Sequence, residues 1–347
     1  MAATSAPPPP LHRPRPDEIT AAVRVLRQAG AALLVDGVAL HSDLGEVAAR
    51  IAKATGARLM QPFFAARFRR GGGALRFERL AYRIEENLVM LAGITQLVLC
   101  GTTRPAGFFA YPGKPSLPEN PDGRLIELCG PEMDIGWTLA ELAREIGAES
   151  EVLGRQDRVL AELPALPGGA MGLEKVGQAI AGLMPEDAVL VDEGVSSSRF
   201  LTALAGARGH DVLTITGGSI GFGLPVAVGA AVACPERKVV VLEGDGSGMY
   251  TLQSLWTMAR ERLDVCVVIF ANRGNQILRG EMAAMGVAEV GRNAVRMFDV
   301  VDPSLDWVAL ARGHGGAGDR CGSVRRGLCG GDGVARATAY RSGLLRE

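Results

Sequence analysis

At 347 residues the chain exceeds one average domain, and a hydrophobic share of 48% supplies enough apolar surface for two cores. Lys and Arg (37) nearly balance Asp and Glu (38), leaving a net charge of −1 and no long basic tract, which excludes a nucleic-acid-binding footprint. No apolar run reaches the length of a membrane span, and the six cysteines show no metal-ligand spacing, so the chain reads as soluble and cytoplasmic.

Residues 1–16, MAATSAPPPPLHRPRP, lack an apolar leader segment and read as a disordered proline-rich tail. From Asp17 the pattern becomes α/β. DEITAAVRVLRQAG is an amphipathic helix with Asp17 as its expected N-cap and Gly30 as its stop. AALLVDG follows as a buried strand, then a helix over 43–55 and a second strand in ARLMQPF at 57–63. TQLVLCG at 95–101 and RLIELCG at 124–130 are further buried strands, separated by a turn-rich loop at 108–123. Continuous apolar strands alternating with helices predict a parallel sheet covered on both faces. This central domain spans 17–155, and the segment 156–172, which contains AELPALPGGAMG, reads as a linker.

A second α/β domain is expected over 173–315. It has a helix at 173–183 and strands in AVLVDEG at 188–194 and DVLTITGG at 211–218. LPVAVGAAVACP is a small-residue helix, which implies close packing and carries no chemistry of its own. RKVVVLEGDG at 237–246 enters a turn, a helix covers 251–261, and DVCVVIFANRG at 264–274 is the next strand. Beyond residue 315 the sequence turns rich in Gly and Arg and does not read as a continuing strand–helix pair. A shifted or eroded reading frame would explain that change of character near His314. The second GDG, at 331–333, has no strand before it and is discounted as a site.

The chemistry concentrates in GDGSGMY at 244–250. A plain tight turn is one reading of it. A dinucleotide fingerprint is another, but it requires a third glycine that this stretch lacks. The remaining reading is a diphosphate held through a divalent cation. Asp245 would be a hard oxygen ligand, and amides at the following helix start would face phosphate oxygens. The next strand can add an Asn272 side-chain carbonyl and a Gly274 backbone carbonyl.

GDGSGMYTLQSLWTMARERLDVCVVIFANRG resembles the signature of thiamine-diphosphate-dependent enzymes, a GDG followed about two dozen residues later by a pair of asparagines. The resemblance implies Mg²⁺ ligation by Asp245, Asn272 and Gly274, and contacts to the cofactor from Gly246, Ser247 and Asn275. Ala271 stands where the family has its first asparagine, which is not normally a ligand. VDEGVSS at 191–197 is similar to the diphosphate-side loop, placing Ser196 near a phosphate oxygen. TGGSIGFGLPVAVGAA at 216–231 resembles the family's GG-x-G-x-x-LP stretch, in which Ile220 would lie beneath the bent thiamine. Taken alone, Ile220 would be a core residue. FFAYPGKPS and its surroundings look like the central domain of acetolactate synthase large subunits, and the whole likeness covers about 17–315.

Family chains begin with a pyrimidine-binding domain bearing the glutamate that protonates the aminopyrimidine, and this chain starts at the central domain. No catalytic residue is assigned. Glu193 is the nearest candidate for that glutamate but belongs to the diphosphate-side loop. The resemblance implies thiamine diphosphate and Mg²⁺ as cofactors, while a flavin (FAD) in the central domain has no support. It also implies a carboligase or decarboxylase acting on 2-oxo acids such as pyruvate. The expected partner is a second copy or a separate pyrimidine-domain subunit covering the apolar face around Ile220, with no nucleic acid and no membrane. The competing readings are a non-catalytic remnant or accessory subunit that keeps the Mg²⁺–diphosphate surface, and a generic nucleotide-binding α/β protein.

Overall fold

The computed structural model describes residues 10–170, 172–287, 289–320 and 336–341. They divide into two compact units. The first unit takes the residues up to Phe63 together with Leu75–Asp157, and the second takes Phe64–Ala74 and the chain from Arg158 onward.

The early strands are β1 (Ala31–Val35), β2 (Arg58–Gln61), β3 (Arg67–Arg70, in the second unit), β4 (Glu78–Arg79), β5 (Gln96–Cys100) and β6 (Arg124–Cys129). In the first unit they form an all-parallel sheet in the order β4-β2-β1-β5-β6. Every residue of β1 is buried, as its unbroken apolar run requires of a central strand covered on both faces. Four helices flank this sheet: α1 (Pro16–Leu26), α2 (Leu44–Thr55), α3 (Ile84–Leu91) and α4 (Ile135–Ile146). Asp17 does not cap α1. The cap is Arg15, two residues earlier, because Pro16 suits the first turn and Glu18 Oε2 accepts the Arg15 amide at 2.8 Å. Cys100 and Cys129 are free, buried thiols.

The second unit continues with β7 (Val189–Glu193), β8 (His210–Thr214), β9 (Val239–Gly244), β10 (Val265–Ala271), β11 (Ala317–Arg320) and β12 (Arg336–Arg341). Its sheet runs β11-β12-β10-β9-β7-β8-β3, parallel throughout except for the edge strand β3, which is antiparallel to β8. The expected parallel sheets with covering helices are therefore present, with that one antiparallel addition. Helices α5 (Leu173–Leu183), α6 (Gly223–Ala233), α7 (Asp245–Gly248), α8 (Ser254–Arg260), α9 (Gln276–Ala284), α10 (Arg292–Phe298) and α11 (Trp307–Gly313) complete it. Small residues on α6 lie flat against the strands: Ala227 and Ala231 are buried with Leu224 among Val189, Val191, Val239 and Val241. Burying each such valine contributes about 1.5–3 kcal/mol.

Two strands, β11 and β12, lie in the stretch with no strand–helix signature. They extend the sheet beyond β10, because an open strand edge offers backbone donors and acceptors whatever the side chains opposite. The second GDG at 331–333, Cys321, Cys329 and most of the proline-rich tail lie outside the described residues. No described helix is long and apolar enough to cross a membrane.

A charged layer joins β3 to β8. Asp211 meets Arg67 at 2.8 Å and Arg237 at 2.9 Å, and burial, which alone would raise its carboxyl pKa, is outweighed by these two cations. Next to it His210 is wholly buried, with Nδ1 2.7 Å from the Arg208 carbonyl. Burial pushes its pKa down to about 4, and the neighbouring Arg70 and Arg69 act in the same direction. The folded form thus binds fewer protons than the unfolded chain between the ordinary value of 6.5 and about 4. The His210 contribution to stability is fully present above pH 6.5 and falls by roughly 3 kcal/mol as the pH drops to about 4. Other buried acids titrate across the same window, so the test is the difference: urea unfolding should show the parent losing stability relative to His210→Gln by up to roughly 3 kcal/mol as the pH falls from 6.5 to about 4.

Candidate functional site

The second sheet changes direction at β7. From β7 the chain moves to β8 on one side and later to β9 on the other, so a crevice opens beyond the carboxyl ends of β7 and β9. Ligands of open α/β sheets bind at such switch points. VDEGVSS leaves β7 there, GDGSGMY leaves β9, and the turn after β10 carries Asn272–Asn275 beside it.

Asp245 is buried at 3% exposure on the first residue of α7. Its Oδ1 accepts the Gly246 amide at 3.0 Å, and its Oδ2 accepts the Arg273 amide at 2.7 Å. The second bond ties the end of β9 to the turn after β10. Burial raises the Asp245 carboxyl pKa, and the two amides oppose that rise. A carboxylate in this position gains most from a cation, because pairing removes the cost of burying its charge. Asn272 is exposed on the same turn, and its Oδ1 accepts the Gly274 amide at 3.1 Å. The Gly274 carbonyl accepts from the Gln276 amide at 3.0 Å.

Asn275 packs directly on the glycine-rich turn. A Cβ on Gly246 would fall 2.6 Å from Asn275 Oδ1, so a side chain there would displace the Asn275 amide. Among the described residues, no three His, Cys, Asp or Glu side chains gather to hold a metal. A cation here would rest on one carboxylate with amide and carbonyl oxygens, the hard donor set that suits Mg²⁺ when it also keeps waters and phosphate oxygens. The residues therefore fit a magnesium diphosphate.

Ser247 differs from its expected role in one respect. Its hydroxyl points inward, donating to Glu243 Oε1, and lies 3.2 Å from the Gly244 carbonyl. Only its backbone remains to meet a diphosphate. Ser196 is half-buried in the turn after β7, next to Val195, whose φ of 43° is left-handed. Ile220 is half-buried in the loop 215–222 that leads into α6.

Glu243 had no role from sequence, and Glu193 had been set aside as part of a loop. The two are in-register partners at the ends of β9 and β7, and both are buried, at 0% and 1% exposure. Glu193 accepts the backbone amides of Gly221 and Gly223 with its two oxygens. Burial and the adjacent Glu193 charge push the Glu243 pKa up to about 9, so at neutral pH it is a carboxylic acid. Its Oε2 has no hydrogen-bond partner among the described residues, which suits the protonated form beside Glu193. Tyr250, Thr251 and Arg273 also join the site without a sequence signal. The one available signal was an acid ending each of two apolar runs, VLVDE and VVVLE.

Gly223 is where these acids meet α6. A Cβ there would lie 2.5 Å from Glu243 Oε2 and 2.8 Å from Glu193 Oε2, whereas Gly229 in the same helix has nothing within 4 Å. Gly223→Ala should cost roughly 1–3 kcal/mol by overpacking. Gly229→Ala should be neutral or gain about 0.5–1 kcal/mol from helix propensity. Chemical denaturation of the two variants side by side tests the close approach.

Comparison with known proteins agrees with this geometry. Residues 196–328 match the family described as thiamine pyrophosphate enzyme, C-terminal TPP binding domain. The chain is 41% identical over 291 residues to a Mycobacterium tuberculosis protein provisionally named acetolactate synthase large subunit IlvX, covering 82% of this chain and 55% of that protein. It is 33% identical over 185 residues to benzoylformate decarboxylase of Pseudomonas aeruginosa, covering 52% of this chain and 33% of that enzyme. The chain thus spans about half the length, or less, of these two relatives. Among solved structures, the benzoylformate decarboxylase of Polynucleobacter necessarius superposes with a TM-score of 0.75 at 18% identity, covering 100% of this chain and 68% of that one. The thiamine-diphosphate-dependent 4-hydroxybenzoylformate decarboxylase of Rhodococcus jostii RHA1 gives 0.70 at 22% identity, over 98% and 66%. These two likenesses speak for the fold. The sequence matches show a chain that is similar to an acetolactate synthase large subunit and whose residues 196–328 match the C-terminal thiamine-pyrophosphate-binding domain.

Proposed function

We propose that the chain is the cofactor-holding part of a thiamine-diphosphate-dependent enzyme acting on 2-oxo acids, of the carboligase or decarboxylase type. The observation that carries the reading is the meeting of Asp245, the Asn272–Asn275 turn and Gly246 at the switch point of the second sheet. Acetolactate synthase chemistry on pyruvate is the finer reading, drawn from the IlvX likeness. The benzoylformate decarboxylase relative keeps aromatic 2-oxo acids as competing substrates.

Bound thiamine diphosphate supplies the electron sink that lets a 2-oxo acid lose carbon dioxide. The residues of this chain have other tasks. Asp245, Asn272 and the Gly274 carbonyl hold Mg²⁺. Gly246, the Ser247 backbone, Ser196 and Asn275 meet the diphosphate end, and Ile220 supports the thiamine. Neither of the two glutamates buried at the described site is free to serve the aminopyrimidine. Both Glu193 oxygens are taken by loop amides, and Glu243 is engaged with Ser247 and Glu193. The proposal therefore takes that group from a separate pyrimidine-domain subunit. An accessory subunit that holds the cofactor without turnover would use the same residues.

Calorimetric titration of the chain with thiamine diphosphate and MgCl₂ tests the reading, alone and with any partner subunit. Asp245→Ala should lose more affinity than the roughly 10–100-fold that outer-shell changes cost. Asp332→Ala should bind like the parent. No heat from the parent protein in either setting, or equal losses in the two variants, would overturn the assignment. Turnover of pyruvate or benzoylformate after adding the partner separates enzyme from accessory subunit.

A further inference from the structure

We propose that Glu193 is a positioning residue that sets the loop carrying Ile220, so that it governs binding of the thiamine half of the cofactor and not of the diphosphate half. This rests on the cofactor reading above and adds a division of labour within the site.

The loop 215–222 is held from two sides at Gly221. Its amide is donated to Glu193 Oε1, and its carbonyl accepts from Thr251 Oγ1 at 2.8 Å. Gly221 has a φ of +96°, and a Cβ there would lie 2.6 Å from the Tyr250 Cβ, so the backbone at this point has little freedom. The second Glu193 oxygen takes the amide of Gly223, the first residue of the 11-residue helix α6. One carboxylate thereby joins the loop to the helix start, where an anion is also favoured by the helix dipole. Ile220 immediately precedes the doubly held residue, so its place follows from the Glu193 bonds.

Of the metal and diphosphate residues, Ser247 touches Glu243 of the acid pair, while the others are braced differently. Asp245 is fixed by the Arg273 amide, Gly246 packs on Asn275, and the Asn275 amide donates to the Phe298 carbonyl at 2.7 Å. None of these bonds passes through the loop 215–222. Loss of the Glu193 strut should release Ile220 and leave the diphosphate end in place. In Glu193→Gln an NH₂ group replaces one accepting oxygen and faces a backbone N–H, so one of the two loop bonds is lost.

The test titrates parent and Glu193→Gln with two probes, thiamine diphosphate and inorganic diphosphate, each with MgCl₂, and follows amide hydrogen exchange. The expected result is an approximately tenfold or larger loss of thiamine diphosphate affinity, inorganic diphosphate unchanged within about twofold, and faster exchange at Gly221 and Gly223 but not at Arg273. A merely structural role would weaken both probes together, and that outcome overturns the proposal, as does a variant that binds both like the parent. Thr251→Val removes the opposite tether without touching the acids, and it should show the same split if Glu193→Gln does not fold. If the parent binds neither probe, the cofactor reading itself fails and the proposal falls with it. If the parent binds both and neither variant shows the split, only the proposal fails.

Discussion

Two acidic side chains end neighbouring parallel strands in register, and they cannot both be charged in the space they share. Burial raises the Glu193 carboxyl pKa and its two backbone amides oppose that rise, while Glu243 keeps its proton and bonds Ser247. This arrangement orders the crevice. The loop before α6, the helix start and the GDG turn all contact one or other acid. Buried acids of this kind cost stability unless every oxygen is engaged, so their neighbours have little room to move.

The site is thereby built in two parts on one sheet. The ends of β9 and β10 form the hard-oxygen part, closed by the bond from the Arg273 amide to Asp245. The end of β7 and the loop before α6 form the apolar part, closed by Glu193 and Thr251. Glycine appears wherever two of these segments touch. At Gly246, Gly221 and Gly223 a side chain would meet Asn275, Tyr250 or the paired acids. Those three positions trade local stiffness for contact, and the contacts restore the stiffness.

Much of the fold was legible in advance because buried parallel strands announce themselves as short apolar runs. AALLV, QLVLC, VLVDE, VVVLEG and VCVVIFA all form strands close to where the runs lie. The misses share a cause. β3 (RFRR) and β11 are the two edge strands and β12 lies just inside β11, and none of the three sequences carries a periodic apolar signal. Asp17 lies inside the helix because Pro16 and the reach of Glu18 back to Arg15 move the cap two residues toward the N-terminus.

By itself the sequence determined which local pieces exist: the GDG turn, the Asn272–Gly274 stretch one strand later and the glycine-rich lead into α6. Each is a short-range pattern set by backbone geometry and ligand chemistry, so it is readable without a fold. Only the tertiary structure decided that Glu193 and Glu243 face each other, that the Ser247 hydroxyl turns inward, and that Asn275 rests on Gly246. Those relations depend on strand register and on loops leaving adjacent strands, which bring together residues far apart in the chain. No local pattern encodes such a meeting, because its energy comes from burial shared between segments.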